Sequence, residues 1–306
     1  MEQKLKEALA AYRMECAEAT LLRHNENATY HVAFEGCEYV LRVHTPRPGF
    51  ALKMFGVDRH GREKLEGELA ILFALAQSGL PVQRPMKNRV GECVTILESG
   101  DCATLLTWIE GEIVSEVTDQ VARDAGRLAA QIHMNLERLG GIDRYRYDEA
   151  LLAKLHVLLA EGDEAGAFQD GMPDLSYALD AIEAHMIALR KQGNTFGLIH
   201  ADLSKGNLIQ TKFGLTPIDF CLSGYGFIAQ DLGGLAADFG DQWRDALVRG
   251  YADRSRMQVS ERDLDVFVAL GVLLFLGSHW KGACGEEWFP GALARWRRAL
   301  FRPLSI

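Results

Sequence analysis

The stretch "GLIHADLSKGNLIQTKFGLTPIDF" (residues 197–220) decides how this chain is read. Two apolar runs, 208–210 and 215–218, flank the turn-forming "TKFG", a pattern that predicts a β-hairpin. Four polar groups sit around it: His200, Asp202, Asn207 and Asp219. If the second strand returns along the first, Asn207 and Asp219 arrive at the same end.

Two oxygen-bearing side chains at one end of a hairpin suit Mg²⁺, a hard cation that keeps the rest of its octahedron for phosphate and water. A further carboxylate just before them, Asp202, is placed to accept a proton from an attacking hydroxyl. Together the three describe phosphoryl transfer, in which positioning and charge neutralisation do most of the catalysis. The spacing H-x-D-x-x-x-x-N, with I-D-F completed at Phe220, is that of the protein-kinase catalytic loop. The competing reading of the same residues is capping and turn chemistry.

The rest of the chain bounds these expectations. Its 306 residues, 48% hydrophobic, bury a sizeable core and allow one large domain or two lobes sharing a cleft. A formal net charge of −9 without any basic block argues against nucleic acid as a partner and suits a cationic small molecule. Cys16, Cys37, Cys93, Cys102, Cys221 and Cys284 show neither CxxC nor His/Cys ligand spacing, so they read as reduced thiols. The charged, helical opening "MEQKLKEALAAYRMECAEAT" has no signal-peptide core, and "VFVALGVLLFLG" (266–277) is too short to span a bilayer and reads as a buried core helix. A cytoplasmic protein with no membrane partner is the expectation.

After the opening helix, strand-like runs end near Arg23 and cover 29–34 and 39–44, with "FEGCE" as a hairpin turn. "TPRPGF" breaks this meander, and "REKLEGELAILFALAQSG" then repeats apolar residues at helical spacing. "VQRPMKN" with "CVTILES", then "ATLLTWIEG", complete a sheet of about five strands. From about Val117 long helical patterns dominate ("DQVARDAGRLAAQIHMNLERLGG", "LSYALDAIEAHMIALRKQG"), while "AEGDEAGAFQDGMPD" (160–174) reads as a loop and "GYG" (224–226) as a turn. His133 and His279, in helical patterns, read as satisfied core residues.

These motifs together, from "NENATYHV" through "YVLRVH", "GELAIL", "LLTWIEGE" and "LIHADLSKGN" to "IDFCLSGYGFIAQDLG", resemble the aminoglycoside phosphotransferase family over nearly the whole chain. Within it the chain looks most similar to the group containing type II homoserine kinases. The resemblance implies an α+β, protein-kinase-like bilobal fold with a small antiparallel-sheet lobe (1–106), a hinge (107–111) and a larger helical lobe (112–306). It implies a kinase that uses ATP and Mg²⁺ to phosphorylate a hydroxyl of a small molecule such as an amino alcohol, amino sugar or aminoglycoside. A bacterial stress-response type protein kinase and an idle nucleotide-binding module are the alternatives.

Residue by residue, the resemblance makes Asp202 the catalytic base, Asn207 and Asp219 the metal ligands, His200 a structural support and Asp231 the acid that caps the catalytic loop. It puts Arg42 where many members carry a phosphate-holding Lys, with Glu68 orienting it; Lys53 is the rival cation and Glu66 the rival acid. Asn25, Asn27 and Thr29 of the glycine-free "RHNENATY" would meet phosphate, and the backbone around Thr107, Trp108 and Ile109 a purine edge, with ATP and GTP equally compatible. No activation segment ending in A-P-E follows Phe220, which favours a small acceptor over a protein.

Overall fold

The computed structural model describes residues 1–47, 53–55, 57, 60–168, 172–193 and 195–301. The chain divides into two compact units, Met1–Glu110 with Gly141–Arg144, and Gly111–Gly140 with Tyr145–Ile306.

In the first unit, helix α1 (Glu2–Ala11) precedes strands β1 (Glu18–His24), β2 (Ala28–Phe34) and β3 (Cys37–Val43); helix α2 (Arg62–Gln77) follows, then β4 (Val94–Ile96) and β5 (Cys102–Thr107). They form an antiparallel five-stranded sheet in the order β1-β2-β3-β5-β4. The run "VQRPMKN" adds no strand. It contributes a single bridge, Pro85 to Leu106, because a proline has no N–H to offer a continuing ladder. Lys53 falls in a 3₁₀ turn (Lys53–Phe55) and not on a strand.

Side chains alternate across β3. Leu41 and Val43 join the core beneath α1 with Ala8, Leu9, Tyr12 and Val32, so Arg42 between them faces the other way, where Glu68 of α2 meets it. Segment Gly141–Arg144 packs on α2 through Gly67: an added Cβ there would stand 2.5 Å from the Asp143 carbonyl oxygen. Lys64 of α2 pairs with Asp143, and Arg144 donates to the Lys64 carbonyl.

The second unit contains β6 (Glu112–Ile113), α3 (Asp119–Leu136), β7 (Tyr145–Arg146), α4 (Glu149–Glu164), α5 (Met172–Gln192), β8 (Phe196–Ile199), β9 (Leu208–Thr211), β10 (Gly214–Pro217) and β11 (Gly224–Phe227). Helices α6 (Ala229–Phe239), α7 (Arg244–Ala252), α8 (Glu261–Ala283) and α9 (Phe289–Phe301) complete it. The expected hairpin is β9–β10, and β6 pairs on its outer edge.

The "GYG" expected to turn forms strand β11 between β7 and β8. Glycine is needed because a Cβ on Gly224 would collide with the Tyr145 carbonyl. The loop expected over 160–174 is shorter: α4 continues to Glu164 and α5 starts at Met172, while residues 169–171 lie outside the described set. The extension of α4 is stabilised where Leu155, Leu159 and Phe168 enter the core.

Helix α8 is long and apolar enough by length and composition to cross a membrane. It is nevertheless a core helix. Ser260 and Asp263 close a capping box at its start; Phe267, Leu270, Leu273 and Leu276 belong to the core that α8 shares with α4, α5 and α9, and Phe267 also lies against Gly233 of α6.

Candidate active site

Strand β8 delivers the chain to His200, and the segment to Asn207 wraps back into the β9–β10 hairpin. The register pairs Leu208 with Pro217, and the Ile218 N–H donates to the Asn207 carbonyl at 3.0 Å. Asn207 and Asp219 therefore flank the same end of the hairpin. Both are buried, and Asp219 adopts a left-handed conformation at φ 64°. Asp202 is half-buried beside them.

The Asn207 amide donates to the Asp202 carbonyl at 2.9 Å and to Asp202 Oδ2 at 2.8 Å. With its nitrogen turned to Asp202, the amide presents its oxygen as the atom able to ligate a cation. This donor set, an amide oxygen with the carboxylate of Asp219, fits Mg²⁺, which draws its remaining ligands from phosphate and water. Among the described residues no group of three or more His, Cys, Asp or Glu forms a metal cage.

His200 is fully buried and braces the loop from beneath. Its Nε2 contacts the Ile218 carbonyl at 3.0 Å, and its Nδ1 accepts the Asp202 N–H at 3.3 Å. A carbonyl only accepts, so the proton sits on Nε2 and Nδ1 keeps its lone pair. Burial pushes the imidazole below its ordinary range, against the pull of Asp231, and so keeps this neutral form.

Asp231, in the first turn of α6, takes the N–H groups of His200 and Ala201 at 2.8 and 2.7 Å. It holds Ala201 at φ 67°, a left-handed conformation costly for a residue with a Cβ. Burial opposes the Asp231 charge, but the hydrogen bond and electrostatic pull of His133, with the hydrogen bond donated by the His200 backbone N–H, outweigh it and hold the carboxyl below its usual value.

His133 carries more than the satisfied core role read from its helical pattern. Its Nε2 lies 2.9 Å from Asp231 Oδ2 and its Nδ1 3.1 Å from the Tyr251 hydroxyl. This line reaches the loop from α3 and α7, which cross in close contact at Gly126 and Gly250; a Cβ on either would strike the facing backbone.

In the first unit, Arg42 Nη1 donates to Glu68 Oε1 at 2.7 Å, both side chains almost wholly buried. Glu66 instead lies on the surface, paired with Arg62 at 2.7 Å. Gln83, which sequence reasoning missed, sits 3.5 Å from Arg42 Nη2 and reaches the Thr107 carbonyl at 3.4 Å. Nothing in its strand-like surroundings marks it.

Thr29 lies opposite Arg42 in the β2–β3 register, and its hydroxyl donates to Asn27 Oδ1 at 2.6 Å. Asn25 closes the preceding turn through its N–H to the Asn27 carbonyl. The N–H groups of Thr107 and Trp108 are engaged with the carbonyls of Arg84 and Glu38 at 3.0 and 3.1 Å. The Trp108 ring packs edge-on to His31 at 4.6 Å.

The chain is similar to several known proteins. Amicoumacin kinase of Bacillus subtilis (strain 168) is 24% identical over 242 residues, 76% of this chain and 66% of that protein. Homoserine kinase of Xanthobacter autotrophicus (strain ATCC BAA-1158 / Py2) is 29% identical over 208 residues, 67% of this chain and 62% of its own length. The chain thus spans just under two thirds of each of these relatives.

Among solved structures, an amicoumacin kinase in complex with AMP-PNP, Ca²⁺ and Ami superposes with TM-score 0.79 at 18% identity, covering 98% of this chain and 92% of that one. The microcompartment-associated aminopropanol kinase superposes with TM-score 0.74 at 25% identity, covering 98% and 95%. The fold is the α+β, kinase-like one, with an antiparallel sheet ahead of a helical region. The family model described as "Phosphotransferase enzyme family" matches residues 18–261, which take in β1–β5, the stretch 197–220 and α6, and the chain belongs to that family.

Proposed function

We propose that the protein is a kinase that moves the γ-phosphoryl group of ATP to a hydroxyl of a small, amine-bearing molecule. The observation that carries this reading is the hairpin end at which Asp202, Asn207 and Asp219 meet, Asp202 being held by the Asn207 amide through two hydrogen bonds.

In this reading Asp202 orients the acceptor hydroxyl and takes its proton. Asn207 Oδ1 and the Asp219 carboxylate hold Mg²⁺, whose chemistry when bound is to neutralise charge on the phosphates. Arg42, kept in place by Glu68, contributes a planar fork for phosphate oxygens, and Gln83 limits its freedom. Neutral His200 and ionised Asp231 hold the loop backbone and take no proton in the reaction. Ile109, whose N–H is not engaged among the described residues, pairs with the purine edge.

Homoserine and aminopropanol, the substrates named for two relatives, each carry an amine and a hydroxyl. A net charge of −9 agrees with a cationic acceptor. We therefore place amino alcohols first among acceptors, ahead of aminoglycosides, and the protein in the cytoplasm.

The test is Mg²⁺-dependent ATP turnover across a panel of amino alcohols, amino sugars and aminoglycosides, with Asp202→Ala as control. Acceptor-stimulated turnover should fall by a factor of about 10² to 10⁴ in the variant while nucleotide binding persists. Turnover that is absent with every acceptor, or unchanged in Asp202→Ala, overturns the reading.

A further inference from the structure

We infer that Asp238 is a second positioning residue for the catalytic loop, making one face of α6 a template that grips the loop at both ends. This rests on the kinase reading of Asp202.

Asp231, Gly234 and Asp238 are spaced i, i+3 and i+7 on α6, so they share a face, and the two acids lie two turns or roughly 10 Å apart. The loop contacts this face at three points in succession. Asp231 takes the N–H groups of His200 and Ala201. At Gly234 a Cβ would stand only 3.2 Å from the Leu203 carbonyl oxygen, so glycine lets the middle of the loop lie close to the helix. Asp238 Oδ2 then accepts the Lys205 N–H at 2.6 Å, while the Lys205 ammonium lies 3.9 Å from Oδ1.

The placement of the two acids differs in helix energetics. A carboxylate in the first turn, as at Asp231, is favoured by the helix dipole, whereas one in the last turn, as at Asp238, is disfavoured. The stability of α6 therefore gives no reason for an acid at 238. The loop does: Lys205 opens the 3₁₀ turn Lys205–Asn207, whose flanking Ser204 makes no side-chain cap. Asp238 accepts the first of the N–H groups that the start of such a turn leaves without an intrahelical partner. Holding Lys205 in this way fixes the turn that aims the Asn207 amide at Asp202.

The test compares Asp238→Ala and Asp238→Asn with wild type by amide hydrogen exchange and by steady-state kinetics. In Asp238→Ala the Lys205 amide should exchange at least about tenfold faster, the His200 and Ala201 amides staying protected by Asp231. Turnover should fall about tenfold with the nucleotide KM within about twofold, because aim and not binding is lost. Asp238→Asn keeps an oxygen acceptor and should recover most of both effects.

Unchanged Lys205 protection in Asp238→Ala overturns the inference, as does wild-type turnover in that variant. Exchange reads the grip without catalysis. Faster Lys205 exchange in a protein whose wild type shows no turnover with any acceptor would retire the kinase reading while upholding the grip itself.

Discussion

Replacing Glu68 by Leu leaves Arg42 charged and enclosed, and the consequence can be worked from the structure. The pair is 2.7 Å long with side chains only 4% and 3% exposed, so water cannot take over from the lost carboxylate. Deleting one partner of such a pair costs about 3–5 kcal/mol, because the remaining charge stays desolvated. Gln83, 3.5 Å from Nη2, is neutral and does not replace the lost charge. The expected drop in melting temperature is about 10 °C. Arg42→Met alone should cost a comparable amount by stranding Glu68. The double variant Arg42→Met/Glu68→Leu removes both charges and should recover most of the loss, giving a coupling energy of about 3 kcal/mol in a double-mutant cycle. Denaturant unfolding of the four proteins measures it. A loss below about 1 kcal/mol for Glu68→Leu, or costs that add within about 0.5 kcal/mol, would refute the reasoning.

Two further outcomes follow from the second unit. Gly250→Ala drives a Cβ into the Arg123 carbonyl, so α3 and α7 must separate at a cost of about 1–3 kcal/mol or more; thermal unfolding checks this, and no change would mean the helices tolerate the methyl. Asp231→Asn should lower stability near neutral pH by about 3 kcal/mol, since a charged acceptor for two buried N–H groups and His133 is lost. The folded carboxyl titrates below its ordinary value, so this contribution is whole above about pH 4 and disappears as the pH falls through the folded pKa. The gap between wild type and variant, followed by denaturant unfolding across pH, should therefore be flat from neutral down to about pH 5 and narrow below pH 4; a gap that widens in acid contradicts the assignment.

Much of this architecture was legible along the chain because it is written in local periodicity. Strand-like runs over residues 29–34 and 39–44 predicted the meander, and a 3.6-residue rhythm predicted α2 and α3. The hairpin between Asn207 and Asp219 needed only its turn and two short strands to bring those residues to one end. Misreadings arose where a long-range contact overrode the local signal. "GYG" looks like a turn until β7 and β8 close on it from either side, and "VQRPMKN" looks like a strand until Pro85 is asked to donate.

The sequence by itself determined most of the elements and the order of the polar groups Asp202, Asn207 and Asp219, because their spacing lies within one continuous stretch of backbone. Only the tertiary structure decided which distant groups support them, and which support Arg42 in the first unit. His133 reaches Asp231 across 98 positions, Asp238 reaches Lys205 across 33, and Gln83 reaches Arg42 across 41. Such pairings depend on how closely helices cross and which face a strand turns to its neighbour. Those are set by the packing of the whole unit, glycine against backbone at Gly126, Gly234 and Gly250, and no local pattern of residues encodes them.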